Sequence, residues 1–115
     1  MTTPLHELKA AIFKSLGHPT RIRVLELLGE RDHTVGEMLP LLGVEASNLS
    51  QQLAVLRRAG FVAKRRDGAS VRYTLTSPQV TELLSVARRL LAAQLSDRVA
   101  ILGDLQATPS GGRGG

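Results

Sequence analysis

Cysteine is absent from this chain of 115 residues. Without thiols the chain has no disulfide, no thiolate metal ligand, no cysteine nucleophile and no thiol-based redox sensor. Tryptophan is absent too, and the aromatic side chains are limited to Phe13, Phe61 and Tyr73. So few rings argue against a stacking platform for single-stranded nucleic acid, because such platforms use exposed aromatic side chains.

Long hydrophobic runs are missing as well. No apolar segment approaches the roughly 20 residues that cross a bilayer, so we expect no membrane partner. The first residues show no basic segment followed by an apolar stretch, so we expect no secretory signal and a cytoplasmic location.

Enzyme motifs are also lacking. The sequence contains no Gly-x-Ser-x-Gly, no glycine-rich phosphate loop and no paired-histidine motif. We therefore expect no catalytic activity and no cofactor.

What the chain does have is positive charge, with a formal net charge of +5 and 43% hydrophobic residues. A basic balance favours a polyanionic partner, although charge alone does not separate nucleic acid from an acidic membrane. The length predicts one domain, placed at residues 1–105, followed by a disordered tail at residues 106–115.

Apolar residues at helical spacing predict five helices, and their bounds follow from proline, glycine and capping residues. The third helix begins at the capping box Thr34-Val-Gly-Glu37, and Gly29 is expected to end the second. Because a short glycine-containing turn joins the third and fourth helices, they predict a helix-turn-helix. The predicted helices span residues 5–16, 19–28, about 34–42, 46–59 and 78–105.

A β-hairpin is expected after the fourth helix. Residues 61–65 and 70–75 are β-type runs, and the turn between them at residues 66–69 contains Asp67-Gly68, a strong hairpin signal. The predicted fold is therefore mostly α with a small β-hairpin: a winged helix-turn-helix of five helices.

The last predicted helix is about 40 Å long and carries an apolar stripe that one small domain cannot cover. The first helix has a similar stripe, so we expect a homodimer formed through these two helices. The predicted interface residues are Leu5, Leu8, Ile12, Leu84, Ala87, Leu91, Leu95 and Leu102.

Short polar side chains fill the first two turns of the fourth helix. They can donate and accept hydrogen bonds, as reading of base edges in the major groove requires. The alternative is an ordinary solvated face, but such faces favour Glu and Lys, and neither occurs at residues 46–59. The predicted base-reading residues are Ser47, Asn48, Ser50, Gln51 and Gln52.

Six basic residues and one acid lie between Arg57 and Arg72. Such a density is typical of contacts with DNA phosphates, and the alternative is a solubilising charge run. The predicted phosphate-binding residues are Lys64, Arg65, Arg66 and Arg72.

Three stretches of the sequence resemble the ArsR/SmtB family of prokaryotic transcriptional regulators. They are residues 15–28, SLGHPTRIRVLELL, residues 49–62, LSQQLAVLRRAGFV, and residues 65–75, RRDGASVRYTL. The resemblance implies a homodimer that represses a nearby operon until an inducer relieves repression.

Many members of that family sense metals, and two of their sites can be checked in this sequence. The Cys-x-Cys motif around the third helix is replaced by residues 34–38, TVGEM, and the last helix has no histidine. A further departure is Glu45, where the family often has a serine that caps the recognition helix. We therefore predict no metal site of the familiar kinds.

Two other interpretations of the function stay open. The chain could be a protein-interaction module controlled by a separate effector-sensing protein, because no ligand site is evident. It could instead be a metal-responsive switch that uses a noncanonical site at His6, His18 or His33. Repression and activation are not distinguished by the sequence, because the sign of regulation depends on where the operator lies.

Overall fold

The structure is a computed structural model, and it describes residues 2–107. The described residues fall into two compact units that divide between Glu82 and Leu83. The first unit contains the helix-turn-helix and the sheet, and the second is the remainder of the last helix.

Five helices and three short strands make up the described residues, as the helical spacing and the hairpin signal predicted in outline. In chain order the elements are α1 Leu5–Leu16, α2 Pro19–Glu30, β1 His33–Thr34, α3 Val35–Leu42, α4 Ala46–Arg58, β2 Val62–Asp67, β3 Ser70–Leu75 and α5 Gln79–Ala107.

Capping residues set the bounds of the central helices. His18 caps α2, where its Nδ1 accepts the backbone N–H of Thr20 at 3.1 Å, and proline follows at the first helical position. The predicted capping box of α3 is confirmed: Thr34 accepts from the Glu37 backbone, and the Glu37 carboxylate accepts from the Thr34 backbone. Gly43 ends α3 in the left-handed conformation, with a φ of 66°.

Gly29 does not end α2, contrary to the prediction. The helix continues to Glu30, and a Cβ placed on Gly29 would lie 2.9 Å from Oγ1 of Thr81. Glycine is here because the start of α5 approaches the α2 backbone closely, so its role is packing and not termination.

The three strands form one antiparallel sheet in the order β1-β3-β2. Strand β1 was not predicted, because two residues are too few to show the alternation that marks a strand. The hairpin turn is also shorter than predicted: Asp67 pairs with Ser70, so only Gly68 and Ala69 connect β2 to β3. Gly68 has a φ of 64°, which a tight two-residue turn requires.

The core of the first unit holds α4 against α2 and α3. The buried face of α4 consists of three leucines and Gln52, and the other polar residues of its first two turns are directed outward. The buried apolar residues are Leu16, Val24, Leu25, Leu27, Leu28, Met38, Leu49, Leu53, Leu56, Val62 and Val80.

Helix α5 contains 29 residues, which corresponds to about 44 Å. It reaches Ala107, so residues 106 and 107 are helical where a tail was predicted. The rest of the predicted tail, residues 108–115, lies outside the described residues. None of the helices within residues 2–107 combines the length and apolar character that a bilayer crossing needs.

Candidate nucleic-acid interface

The outer face of α4 presents uncharged hydrogen-bonding side chains. Ser47, Ser50 and Gln51 are exposed, and Asn48 is half-buried. The helix carries no charged residue before Arg57, so its first turns can approach a base edge without bringing a fixed charge.

Gln52 does not join this face. It is only 8% exposed, whereas the sequence analysis placed it among base-reading residues. Its Oε1 accepts a hydrogen bond from Nη1 of Arg21 on α2 at 3.3 Å, and its Nε2 donates to Oδ1 of Asn48 at 3.0 Å. The amide of Gln52 thus links α4 to α2 and orients Asn48 from behind.

A sequence signal for this burial was present. Positions 49, 52, 53 and 56 follow the spacing of one helical face, and the other three are buried leucines. The prediction for Gln52 rested on its polar side chain and not on this helical spacing.

The wing, β2 and β3, divides its basic residues between two faces. Arg65 lies directly opposite Arg72 in the ladder, so these two side chains share one face of the hairpin. Lys64 and Arg66 alternate with Arg65 and therefore lie on the other face.

Carboxylates surround the facing pair of arginines. Nη2 of Arg65 lies 3.5 Å from Oδ2 of Asp32, which precedes β1. Arg72 is held twice: its Nε donates to Oδ2 of Asp67 at 3.2 Å, and its Nη1 donates to Oε1 of Glu37 at 3.4 Å. Among the described residues, Lys64 and Arg66 have no carboxylate within 4.0 Å.

Several polar and basic groups approach one oxygen of the Glu37 carboxylate. Its Oε1 accepts the backbone N–H of Thr34 at 2.9 Å, and Arg72, Arg31 and His33 approach the same oxygen. The hydrogen bond from Thr34 is the largest cause that lowers the pKa of Glu37, and the nearby cations lower it further. The Glu37 side chain is therefore a carboxylate at neutral pH. It extends from the first turn of α3 toward Arg72 of the wing.

A shallow depression continues the basic surface from the wing to the end of α4. Its lining includes Arg57 and Arg58 of the last turn of α4, and Lys64 of β2. Arg57 and Arg58 follow the uncharged first turns of α4 along the same helix, so positive charge borders the polar face.

The three histidines lie in separate surroundings. His18 is engaged as the cap of α2, His33 is 2% exposed within β1, and His6 is exposed near Glu7. Within residues 2–107, no three His, Asp or Glu side chains come together as a metal ion would need.

Sequence reasoning missed the carboxylates that pair with the wing. Asp32 was given no role, Asp67 was noted only for the hairpin turn, and Glu37 was noted only for helix capping. Strand alternation could have placed Arg65 and Arg72 on one face, but their acidic partners follow from tertiary contacts.

The helix-turn-helix is shared with known proteins. Residues 16–65 match a family model described as a helix-turn-helix domain. These residues run from the end of α1 into β2, so the match includes the polar face of α4.

Relatives extend the similarity over most of the chain. The HTH-type transcriptional regulator Rv0081 of Mycobacterium tuberculosis is 62% identical over 105 residues, which are 90% of this chain and 92% of that protein. Its crystal structure superposes with a TM-score of 0.78 and covers 85% of this chain and 99% of that one. A biofilm growth-associated repressor of Xylella fastidiosa is 35% identical over 74% of this chain and 75% of its own length.

The fold is shared with a further solved structure. The homodimeric winged helix-turn-helix DNA-binding domain of Mb0332 from Mycobacterium bovis has a TM-score of 0.72 at 24% identity, covering 81% of this chain and 86% of that chain. The helix-turn-helix, the three-stranded sheet and the relatives agree with the resemblance seen in the sequence. The chain belongs to the ArsR/SmtB family of winged helix-turn-helix transcriptional regulators, which bind DNA.

Proposed function

We propose that this protein is a homodimeric repressor that binds an inverted-repeat operator in double-stranded DNA. The observation that carries the proposal is the juxtaposition on one unit of an uncharged polar face on α4 and a basic wing. Base edges need the first kind of surface, and phosphates need the second.

Base reading is assigned to Ser47, Asn48, Ser50 and Gln51. These side chains lie in the first two turns of α4, and Gln and Asn can pair bidentately with adenine. Gln52 is left out of this set, because its amide is buried and bonded to Arg21 and Asn48.

Phosphate binding is assigned chiefly to Lys64 and Arg66, whose charges have no carboxylate within 4.0 Å in the described chain. Arg65 contributes when a phosphate replaces Asp32 beside it, since that ion pair is exposed and weak. Arg57 and Arg58 extend the same surface.

Two copies of the chain are proposed to pair through α1 and α5. Large apolar side chains are exposed on each of these helices, including Leu8 on α1 at 52% and Leu91 on α5 at 54%. Exposed apolar surface of this extent is typical of an interface. The remaining proposed contacts are Leu5, Ile12, Leu84, Ala87, Leu95 and Leu102.

Repression is the proposed sign of regulation, and the relative from Xylella fastidiosa is named as a repressor. A dimer presents two copies of α4, so the half-sites should lie about 10–10.5 base pairs apart, or a multiple of that distance.

The test is selection of duplexes from a random DNA library, followed by footprinting on the DNA upstream of the protein's own gene. The proposal expects an inverted repeat and protection at a promoter. Enrichment of no sequence would contradict DNA reading and would favour the protein-interaction interpretation.

The dimer is tested separately by sedimentation of the wild-type chain and of Leu91→Glu/Leu95→Glu. We expect a wild-type dimer at micromolar concentration, and monomer or unfolded chain for the variant, because a buried unpaired carboxylate is costly. Lys9→Glu changes charge on α1 without removing an apolar contact and serves as the control. A wild-type monomer would contradict the proposed interface.

A further inference from the structure

The wing contains a pair of like charges that its own ladder brings together. Arg65 and Arg72 are directly opposed in the antiparallel register, and like charges in that position destabilise a hairpin. The hairpin is nevertheless formed, and three carboxylates from different parts of the chain lie against this pair, namely Asp32, Glu37 and Asp67.

Arg72 is the more firmly held of the two arginines. Its side chain is 31% exposed against 65% for Arg65, and two of its guanidinium nitrogens donate to carboxylates. These bonds use two of the five guanidinium N–H donors, and the two carboxylates offset the charge of Arg72. Arg72 therefore attracts a phosphate less strongly than Lys64 and Arg66, which have no carboxylate within 4.0 Å in the described chain.

The ion pair between Arg72 and Glu37 joins the wing to the start of α3. Thr34 of β1 is the backbone partner of Arg72 in β3, and the Thr34 N–H also donates to Glu37. Backbone pairing, helix capping and ion pairing therefore meet at one point of the ladder. Because α3 packs against both β3 and α4, this point joins the wing to the helix-turn-helix.

We propose that Glu37 is a positioning residue for DNA binding: it holds Arg72, and with it the wing, in the orientation that lets Lys64 and Arg66 reach phosphates while α4 reads bases. Arg72 is then an internal ion-pair partner and not a phosphate contact, which differs from the role predicted for it from the sequence. The inference rests on the proposed function. Within that function, it assigns phosphate contacts to Lys64 and Arg66 and the positioning of the wing to Arg72.

The groups that face Glu37 come from two strands and one connection. Arg72 is on β3, His33 and the Thr34 backbone N–H are on β1, and Arg31 lies in the connection after α2. Asp67 at the end of β2 is the second carboxylate on Arg72. Removing Glu37 therefore leaves Arg72 with Asp67 alone, at the far end of the hairpin.

The experiment measures affinity for a duplex selected from a random library, and for a random-sequence duplex, over a salt series. The variants are Arg72→Gln, Arg72→Lys and Glu37→Gln, with Arg66→Gln as the phosphate-contact comparison. Glu30→Gln is the control, because it removes an exposed acid that has no ion pair in the described chain. Gln at position 37 can still complete the capping box, so α3 keeps its start.

A positioning role predicts that Arg72→Gln and Glu37→Gln each weaken binding to the selected duplex, roughly three- to tenfold, and that the double variant is no weaker than either single one. The slope of log affinity against log salt stays at the wild-type value for Arg72→Gln. It falls by about 0.9 per phosphate lost for Arg66→Gln. Glu30→Gln leaves affinity at or slightly above the wild-type level.

The sign of the Glu37→Gln effect is diagnostic. Removing a negative charge beside a DNA-binding surface should tighten binding if charge alone mattered, and the proposal expects weaker binding instead. Arg72→Lys keeps the charge but loses the two-sided guanidinium geometry, so it should weaken binding as Arg72→Gln does.

The proposal is overturned if Arg72→Gln lowers the salt slope as Arg66→Gln does, if Arg72→Lys binds like the wild type, or if Glu37→Gln binds DNA more tightly. Thermal melts of each variant check that the fold is retained. If the wild-type chain selected no sequence at all, the proposed function itself would fail, and that failure is seen before any variant is made.

Discussion

Helix α4 and the wing lie side by side but differ in the chemistry of their surfaces. The outer face of α4 has hydrogen-bonding groups and no charge, whereas the wing has charge and few uncharged donors. Each element also divides its polar residues into two sets. Helical spacing buries Gln52 behind Gln51, and strand alternation separates Arg72 from Lys64 and Arg66.

This comparison shows that residue type alone does not identify a contact with DNA. Gln51 and Gln52 are chemically identical neighbours, yet one is exposed and the other links α4 to α2. Arg66 and Arg72 differ in the same way, because only the second has carboxylates beside it. Four predictions test whether the two sets are distinct.

The largest stability effect is expected within α4. Gln52→Ala should lower the free energy of unfolding by about 1–3 kcal/mol, because it leaves the half-buried Arg21 side chain without its partner. Gln51→Ala should change it by less than about 0.5 kcal/mol, as exposed positions usually do. Urea denaturation of both variants measures the difference. Equal losses would mean that the two glutamines are not distinct.

Specific DNA binding should depend on the exposed set. Gln51→Ala should cost roughly 1–3 kcal/mol on the selected duplex and little on random DNA, because it removes a base-edge hydrogen bond. Asn48→Ala should act in the same direction. Fluorescence anisotropy on both duplexes measures this, and parallel losses on the two DNAs would count against α4 as the reading element.

The wing should contribute to DNA affinity independently of the DNA sequence. Arg66→Ala should weaken binding to selected and random duplexes by a similar factor and reduce the salt slope by about 0.9 per protomer. The matched variant is Arg31→Ala, which removes an exposed cation outside the wing that lies 3.8 Å from Glu37. It should leave the salt slope unchanged, and a slope change as large as that of Arg66→Ala would place the phosphate contacts elsewhere.

The smallest expected effect is on the stability of the fold at acidic pH. The pKa of Glu37 is lowered in the folded chain, first by its hydrogen bond from the Thr34 backbone. Its contribution to stability is therefore fully present above the ordinary pKa of glutamate, about 4.3, and is lost as pH falls through the lower folded pKa. The difference in melting temperature between the wild type and Glu37→Gln should shrink from pH 5 to pH 3. If the difference in melting temperature stayed constant over that range, the Glu37 ion pairs would not contribute to stability.

Most of the architecture could be predicted from local patterns. The bounds of α1 and the capping box of α3 were predicted to the residue, because proline, glycine and capping chemistry act locally. The wing was predicted from Asp67-Gly68. Strand β1 escaped prediction because two residues have no pattern of their own and pair only because β3 lies beside them.

The candidate interface was predicted less completely than the fold. Gln52 was misplaced although helical spacing indicated its burial, and Gly29 was taken for a helix end when it serves a close contact with Thr81. The partners of Arg72 are 5 and 35 positions away in the chain, so the longer pairing with Glu37 depends on how β3 meets α3. Such contacts follow from packing and carry no local signal.

We propose that α4 specifies the DNA sequence and that the wing supplies affinity alone. The most direct measurement is repeated selection from a random duplex library with the wild type, Gln51→Ala and Arg66→Ala, each read out as the base preference at every position. We expect that Gln51→Ala relaxes the preference at one position in each half-site, while Arg66→Ala recovers the wild-type motif at lower affinity. An altered motif for Arg66→Ala together with an unchanged motif for Gln51→Ala would contradict it.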